Sequence, residues 1–185
     1  MSEFISTAYC RLYICPIPDG AGSRRDREQE AVGTLIAEVF GPDTILAHTP
    51  EGAPFIVGHP DTKISISHSG SVCLLAVGQS PYINIGVDIE SPRRQLLKVA
   101  TRFLSAGEKR LADAAPDEDA LLQILLKLWT VKEAVYKAAL TPGLPLAEIT
   151  VAPTFTAATA RGNEFSITFH PLPDGQQIAV ACKER

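Results

Sequence analysis

Two carboxylates placed two residues apart, Asp88 and Glu90, are where this 185-residue chain first suggests chemistry. They close an alternating run from Tyr82 to Glu90. Ile83, Ile85, Val87 and Ile89 take one face of a predicted strand, and Asn84, Gly86, Asp88 and Glu90 take the other. By strand rise the two carboxylates stand roughly 7 Å apart, and Gly86 beside them leaves room for a close approach. That pattern suits a hard divalent cation, and it equally suits the solvated end of an edge strand. A second stretch, Trp129 to Lys137, shifts the balance towards a site. Read as a helix, it sets Trp129, Glu133 and Lys137 on one face at i, i+4 and i+8, adding a third acid and a cation. Its plain alternative is a surface Glu–Lys pair worth about 0.3–0.5 kcal/mol.

Taken together, Gly86-Val87-Asp88-Ile89-Glu90 and Trp129-Thr130-Val131-Lys132-Glu133-Ala134-Val135-Tyr136-Lys137 resemble the signatures of the Sfp-type 4′-phosphopantetheinyl transferases. Ser65-Ile66-Ser67-His68-Ser69 and Phe103-Leu104-Ser105 followed by Glu108 resemble further motifs of that family. Gly52-Ala53-Pro54 is similar to its G-K-P loop, with Ala53 in the place of the usual lysine. The motifs fall in the family's order between about residues 50 and 140.

The resemblance implies transfer of the 4′-phosphopantetheine arm of CoA, the co-substrate, to a serine of an apo acyl or peptidyl carrier protein, with release of 3′,5′-ADP. It implies Asp88, Glu90 and Glu133 as ligands of Mg²⁺ and Lys137 as a point charge on the phosphates. Ser67 and His68 would contact CoA, as would the Gly52–Pro54 loop. For the general base it points to Glu108, leaving Glu133 as the other choice. Glu108 also reads as the N3 residue of a capping box opened by Ser105, and a helix N-terminus lowers a carboxylate's pKa, so a structural role competes. The family's basic N-terminal region is short here, and Arg24, Arg25 and Arg27 are the candidates to replace it. Their other reading is a set of solvated arginines beside Asp26, Glu28 and Glu30.

The elements that must position these residues read as α+β. A strand over 7–17 leads to a helix from the N-cap Ser23 to about Phe40, stopped at Gly41-Pro42. An irregular stretch over 43–63 follows, broken only by a short extended Phe55-Ile56-Val57. Strands at 63–67, 72–78 and 82–90 then suggest an antiparallel meander, with Ile64 and Ile66 inward and Ser65 and Ser67 outward. Helical stretches at 93–104 and from Ser105, and a long helix over 119–140, precede strands at 149–151, 165–169 and 177–182. The two halves, 1–81 and 82–185, fit the family's pseudo-twofold arrangement, an antiparallel sheet on a long helix in each. The active site is then expected in the cleft between them, within one compact unit that works as a monomer.

Composition narrows the partners. A hydrophobic fraction of 45% with 21% charge is ordinary for a globular protein, and no apolar run reaches the length of a membrane span. The start, Met1-Ser2-Glu3-Phe4, has no signal-peptide profile, which predicts a cytoplasmic protein. Cys10, Cys15, Cys73 and Cys182 are scattered, without zinc or disulfide spacing. A net charge of −4 gives no general attraction to nucleic acid or an anionic membrane, so a phosphate site must be built locally. Two other readings stand beside the transferase: a non-catalytic CoA- or carrier-binding module of the same fold, and a Mg²⁺-dependent phosphohydrolase using the same acids.

Overall fold

The computed structural model describes residues 3–80 and 83–184. Met1 and Ser2, Tyr82 at the head of the alternating run, and the 81/82 boundary between the expected halves lie outside the described residues. The architecture is mixed α/β with antiparallel sheets. The first sheet holds β1 (Glu3–Ser6), β2 (Cys10–Pro16), β6 (Val72–Gly78) and β5 (Ile64–Ser69), in that order. The second holds β7 (Ile83–Glu90), β11 (Gln177–Glu184), β10 (Asn163–Pro171), β9 (Ala157–Ala160) and β8 (Thr150–Val151). A two-stranded piece, β3 (Leu46–His48) with β4 (Pro54–Ile56), gives the stretch read as irregular more structure than its Gly/Pro punctuation suggests.

Each sheet carries one long helix. α1 (Arg24–Phe40) packs on β2 and β6, and α4 (Glu118–Ala139) packs on β7 and β11. α1 begins where the sequence places it: Ser23 and Asp26 form a reciprocal capping box that satisfies two orphan donors. Between β7 and α4 lie α2 (Gln95–Val99), a 3-10 turn over Ala100–Arg102, and α3 (Ala106–Asp113), opened by the Ser105–Glu108 capping box. The hairpin strand β1 and the short β9, too brief for a periodic signal, have no counterpart in the sequence reading.

The strand at 82–90 does not extend a meander. β7 pairs in register with β11 over its whole described length, and β5 is the edge of the first sheet. The two edges meet through side chains instead of a backbone ladder. The Ser65 hydroxyl accepts the Val87 N–H at 3.0 Å, and the Ser67 hydroxyl accepts the Ile89 N–H at 3.4 Å. Ser65 and Ser67 are therefore buried, not outward: each hydroxyl takes the place of a strand carbonyl for a neighbouring N–H that must be satisfied. Ile85, Val87 and Ile89 close the same seam by packing with Leu12 and Leu74 of the first sheet and Ile178 and Val180 of the second.

Gly86 does leave room, and what occupies it is α4. A Cβ at Gly86 would lie 2.0 Å from the Ala134 carbonyl oxygen and 2.5 Å from the Ala138 nitrogen, both helix backbone. Ala134 and Ala138 on the helix and Ala179 and Ala181 on β11 complete this close crossing, all four fully buried. Gly86→Ala is expected to cost about 3 kcal/mol, the upper range for overpacking a core, because a helix and not a side-chain tip would have to move. A urea titration checks it, the midpoint falling with the slope unchanged.

Candidate active site

The crossing of β7 by α4 determines which side chains can meet. With the helix backbone pressed onto Gly86, Glu133 and Lys137 descend from α4 beside the carboxylates of β7. The Lys137 ammonium donates to the Val87 carbonyl oxygen at 2.9 Å and to Asp88 Oδ1 at 2.9 Å. Ser67 Oγ donates to the same Asp88 oxygen at 2.7 Å. Asp88 Oδ2 is buried and has no hydrogen-bond partner. A carboxylate oxygen in that state costs desolvation with nothing in return, and it marks a position for a cation or a donor.

Glu90 stands at the exit of the strand, its Oε1 accepting from Arg93 at 2.8 Å and its Oε2 from Ser69 Oγ at 3.4 Å. Burial lifts its pKa, Arg93 draws it down and the charge of Asp88 adds to the rise. Glu133 is raised likewise: burial first, then the charge of Asp88, opposed by Lys137, with Glu90 adding a further rise. The three acids thus feel one another's charge. Among the described residues, no group of three or more His, Cys, Asp or Glu side chains is placed to hold a metal ion. Mg²⁺ takes one or two carboxylates and fills its octahedron with water and phosphate oxygens, so an open set with one orphaned oxygen fits it.

A cleft of about 1360 Å³ opens beside this group. Of the residues singled out from the sequence, Arg25, Gly52, Pro54, His68, Glu133 and Lys137 line it, together with Ala53. Gly52 sits at φ +90°, a conformation that lets the loop turn between Thr49 and Ala53, and the Ala53 N–H donates to the Thr49 hydroxyl at 3.2 Å. His68 is exposed, with Nδ1 3.3 Å from Glu28 Oε1. Glu28, on α1 and expected only as an acid beside solvated arginines, also holds Arg24 at 2.7 Å. The i, i+4 spacing of Arg24 and Glu28 carries that second signal. The sequence gives no sign of Tyr136, which also lines the cleft from the position just before Lys137.

Four expected site residues stand elsewhere. Ser67 is 6% exposed and committed to Asp88 and the Ile89 N–H, so it holds the carboxylate instead of facing the cleft. Arg24 is exposed and paired to Glu28, while Arg27, half-buried, is absent from the cleft wall. Glu108, expected as a base, is 3% exposed and enclosed beside β8. Its Oε2 meets Lys132 at 2.8 Å and the Ser105 N–H at 2.7 Å, and its Oε1 accepts the Val151 N–H at 2.9 Å. Lys132, fully buried, also donates to the carbonyls of Leu146 and Ile149. Burial lowers the Lys132 pKa, and the Glu108 hydrogen bond and charge oppose that fall. Adjacent residues on α4 point apart: Glu133 to the cleft, Lys132 into the core.

Known proteins resembling this chain meet it over the same region. Residues 84–181 match the model of the 4′-phosphopantetheinyl transferase superfamily. The chain is 37% identical over 87 residues to the 4′-phosphopantetheinyl transferase Sfp of Bacillus subtilis (strain 168), covering 46% of this chain and 37% of that protein. It is 26% identical over 133 residues to the 4′-phosphopantetheinyl transferase AcpT of Escherichia coli (strain K12), covering 68% of this chain and 67% of that protein. The match spans under two fifths of the length of the Bacillus subtilis relatives. Among solved structures it is similar to Thermotoga maritima holo-[acyl-carrier-protein] synthase, at 19% identity and a TM-score of 0.42 over 55% of this chain and 63% of that one.

Proposed function

We propose, for a chain that belongs to the 4′-phosphopantetheinyl transferase superfamily, that it transfers the 4′-phosphopantetheine arm of CoA to a serine hydroxyl of an apo acyl or peptidyl carrier protein. The observation that carries the reading is the meeting of Asp88 and Glu90 with Glu133 and Lys137, the latter two lining a cleft that is also lined by Arg25, His68 and the Gly52–Pro54 loop. Acids grouped beside cations suit a diphosphate held with a divalent metal.

Asp88 and Glu90 would hold Mg²⁺, with Glu133 beside them, and the buried free oxygen of Asp88 supports that fit. The metal supplies charge neutralisation to a diphosphate that is negative before reaction begins. Lys137, Arg25 and His68 orient the phosphates from the protein side. The carrier serine oxygen attacks the phosphorus bearing the pantetheine arm, the bond to 3′,5′-ADP breaks, and the leaving group departs with the electron pair. With Glu108 committed to Lys132, Glu133 is the one of the grouped acids Asp88, Glu90 and Glu133 that lines the cleft, and it accepts the serine proton, burial and the charge of Asp88 holding its pKa above that of an ordinary glutamate.

We read the two sheet-and-helix units as a pseudo-twofold pair within an active monomer. Four buried cysteines outside any disulfide suit a reducing, cytoplasmic setting, and among the described residues no helix is long and apolar enough to cross a membrane. Incubation with CoA, Mg²⁺ and an apo carrier, read by intact mass, tests the function. One pantetheine arm gained per carrier is expected. CoA binding without mass gain would establish a binding module, and inorganic phosphate released without a carrier would establish a hydrolase.

A pH prediction follows from the two raised glutamates. Glu90 and Glu133 give up their protons less readily in the folded chain than in the unfolded one. Their contribution to stability is therefore fully present below the unfolded value of about 4.5, and it is lost as pH rises through the raised values. In chelator the melting temperature of wild type should fall across that window more than that of Glu133→Gln. Mg²⁺ at ten times its dissociation constant should restore on the order of 1 kcal/mol at neutral pH.

A further inference from the structure

Gln176, the residue before β11, is a polar side chain buried where an end of each sheet comes together. The turn from β10 delivers it there. The Gly175 N–H donates to the Leu172 carbonyl at 3.1 Å, the Leu172 N–H to the Gln176 carbonyl at 2.9 Å, and the Gln176 N–H to Asp174 Oδ1 at 3.1 Å. Leu172 packs into the apolar seam between the sheets. From this anchored turn the side chain crosses to the first sheet. Its Nε2 donates to the Ser69 carbonyl oxygen at 3.2 Å and to the Ser91 hydroxyl at 2.8 Å. The Ser69 carbonyl can only accept, so the amide nitrogen must face it, and both amide hydrogens are then spent. The first sheet is shaped to receive that nitrogen: Gly70, between β5 and β6 at φ +58°, would bring a Cβ to 3.1 Å from it.

Gln176 Oε1 is buried without a hydrogen-bond partner. An orphaned amide oxygen costs desolvation, and leucine or methionine would fill the same space without that cost. What the amide alone supplies is two donors fixed at one point, and both groups they hold touch Glu90. The Ser69 hydroxyl donates to Glu90 Oε2 at 3.4 Å, and the Ser91 backbone N–H donates to the Glu90 carboxylate. Glu90 ends β7 opposite Gln177, where the backbone ladder stops, and its other partner, Arg93, is exposed. Without Gln176, the end of β5 and the residue after β7 lose the tie that holds them around this carboxylate.

We infer that Gln176 is a positioning residue for Glu90, fixing through Ser69 and Ser91 the carboxylate that the site offers to a divalent cation. The inference rests on the metal role proposed for Glu90. The test compares Gln176→Leu with wild type in the full-length protein, by titration calorimetry with Mg²⁺ alone and by thermal melting. Outer-shell partners of metal ligands are typically worth about 10–100-fold in affinity, so the Mg²⁺ dissociation constant should rise at least about tenfold. A merely structural residue would lower the melting temperature and leave that constant where it was. In a Glu90→Gln background, Gln176→Leu should change the constant by less than about twofold, because its path to the metal runs through Glu90. Ser91→Ala keeps the backbone N–H but deletes one acceptor of Gln176, so it should move the constant in the same direction, and it decides the matter if Gln176→Leu does not fold. An unchanged constant in the folded variant overturns the inference while the metal reading stands. So does a change of equal size with and without Glu90. Wild type that binds no Mg²⁺ overturns the metal reading and this inference together.

Discussion

Asp88→Asn is expected to lower carrier modification by about 10³-fold, or about 4 kcal/mol of transition-state stabilisation, at any Mg²⁺ concentration a carboxylate ligand would need. The substitution is nearly isosteric. Its amide oxygen still accepts from Ser67 and Lys137, and Lys137 keeps the Val87 carbonyl. What disappears is the negative charge and the orphaned oxygen, so the melting temperature should stay within a few degrees of wild type while activity collapses. A folded Asp88→Asn protein transferring at the wild-type rate with the wild-type Mg²⁺ optimum would remove Asp88 from the metal site.

The second large effect concerns stability. Lys132→Met leaves Glu108 buried with two backbone donors and no cation, and breaking one side of a buried ion pair costs about 3–5 kcal/mol. For a chain of this size that is a drop of about 10 °C in melting temperature. Glu108→Gln should move in the same direction, stranding the Lys132 charge, while turnover measured well below the melting transition stays near wild type. Calorimetry beside a mass-based assay separates the roles. A Glu108→Gln protein with unchanged stability and turnover reduced about 10²-fold would return Glu108 to the role of base.

Much of this was readable in the residues. The alternation of 83–90, the Ser23 and Ser105 caps, and the apolar face of the long helix are local patterns whose periods a strand or helix imposes, and each stands where it was read. The i, i+4 spacing of Glu133 and Lys137 put both on one face of α4, and strand alternation did the same for Asp88 and Glu90. Tertiary structure alone decided how these faces are used. Gly86 reads as open space until α4 is laid across it. Ser67 reads as a phosphate contact until its hydroxyl is found replacing a strand carbonyl at the seam between the sheets. Glu108 and Glu133 carry the same functional group, and both sit in motif positions. Which is sealed and which faces the cleft depends on Lys132 being turned by the helix towards β8, a contact across chain distances that no local period encodes.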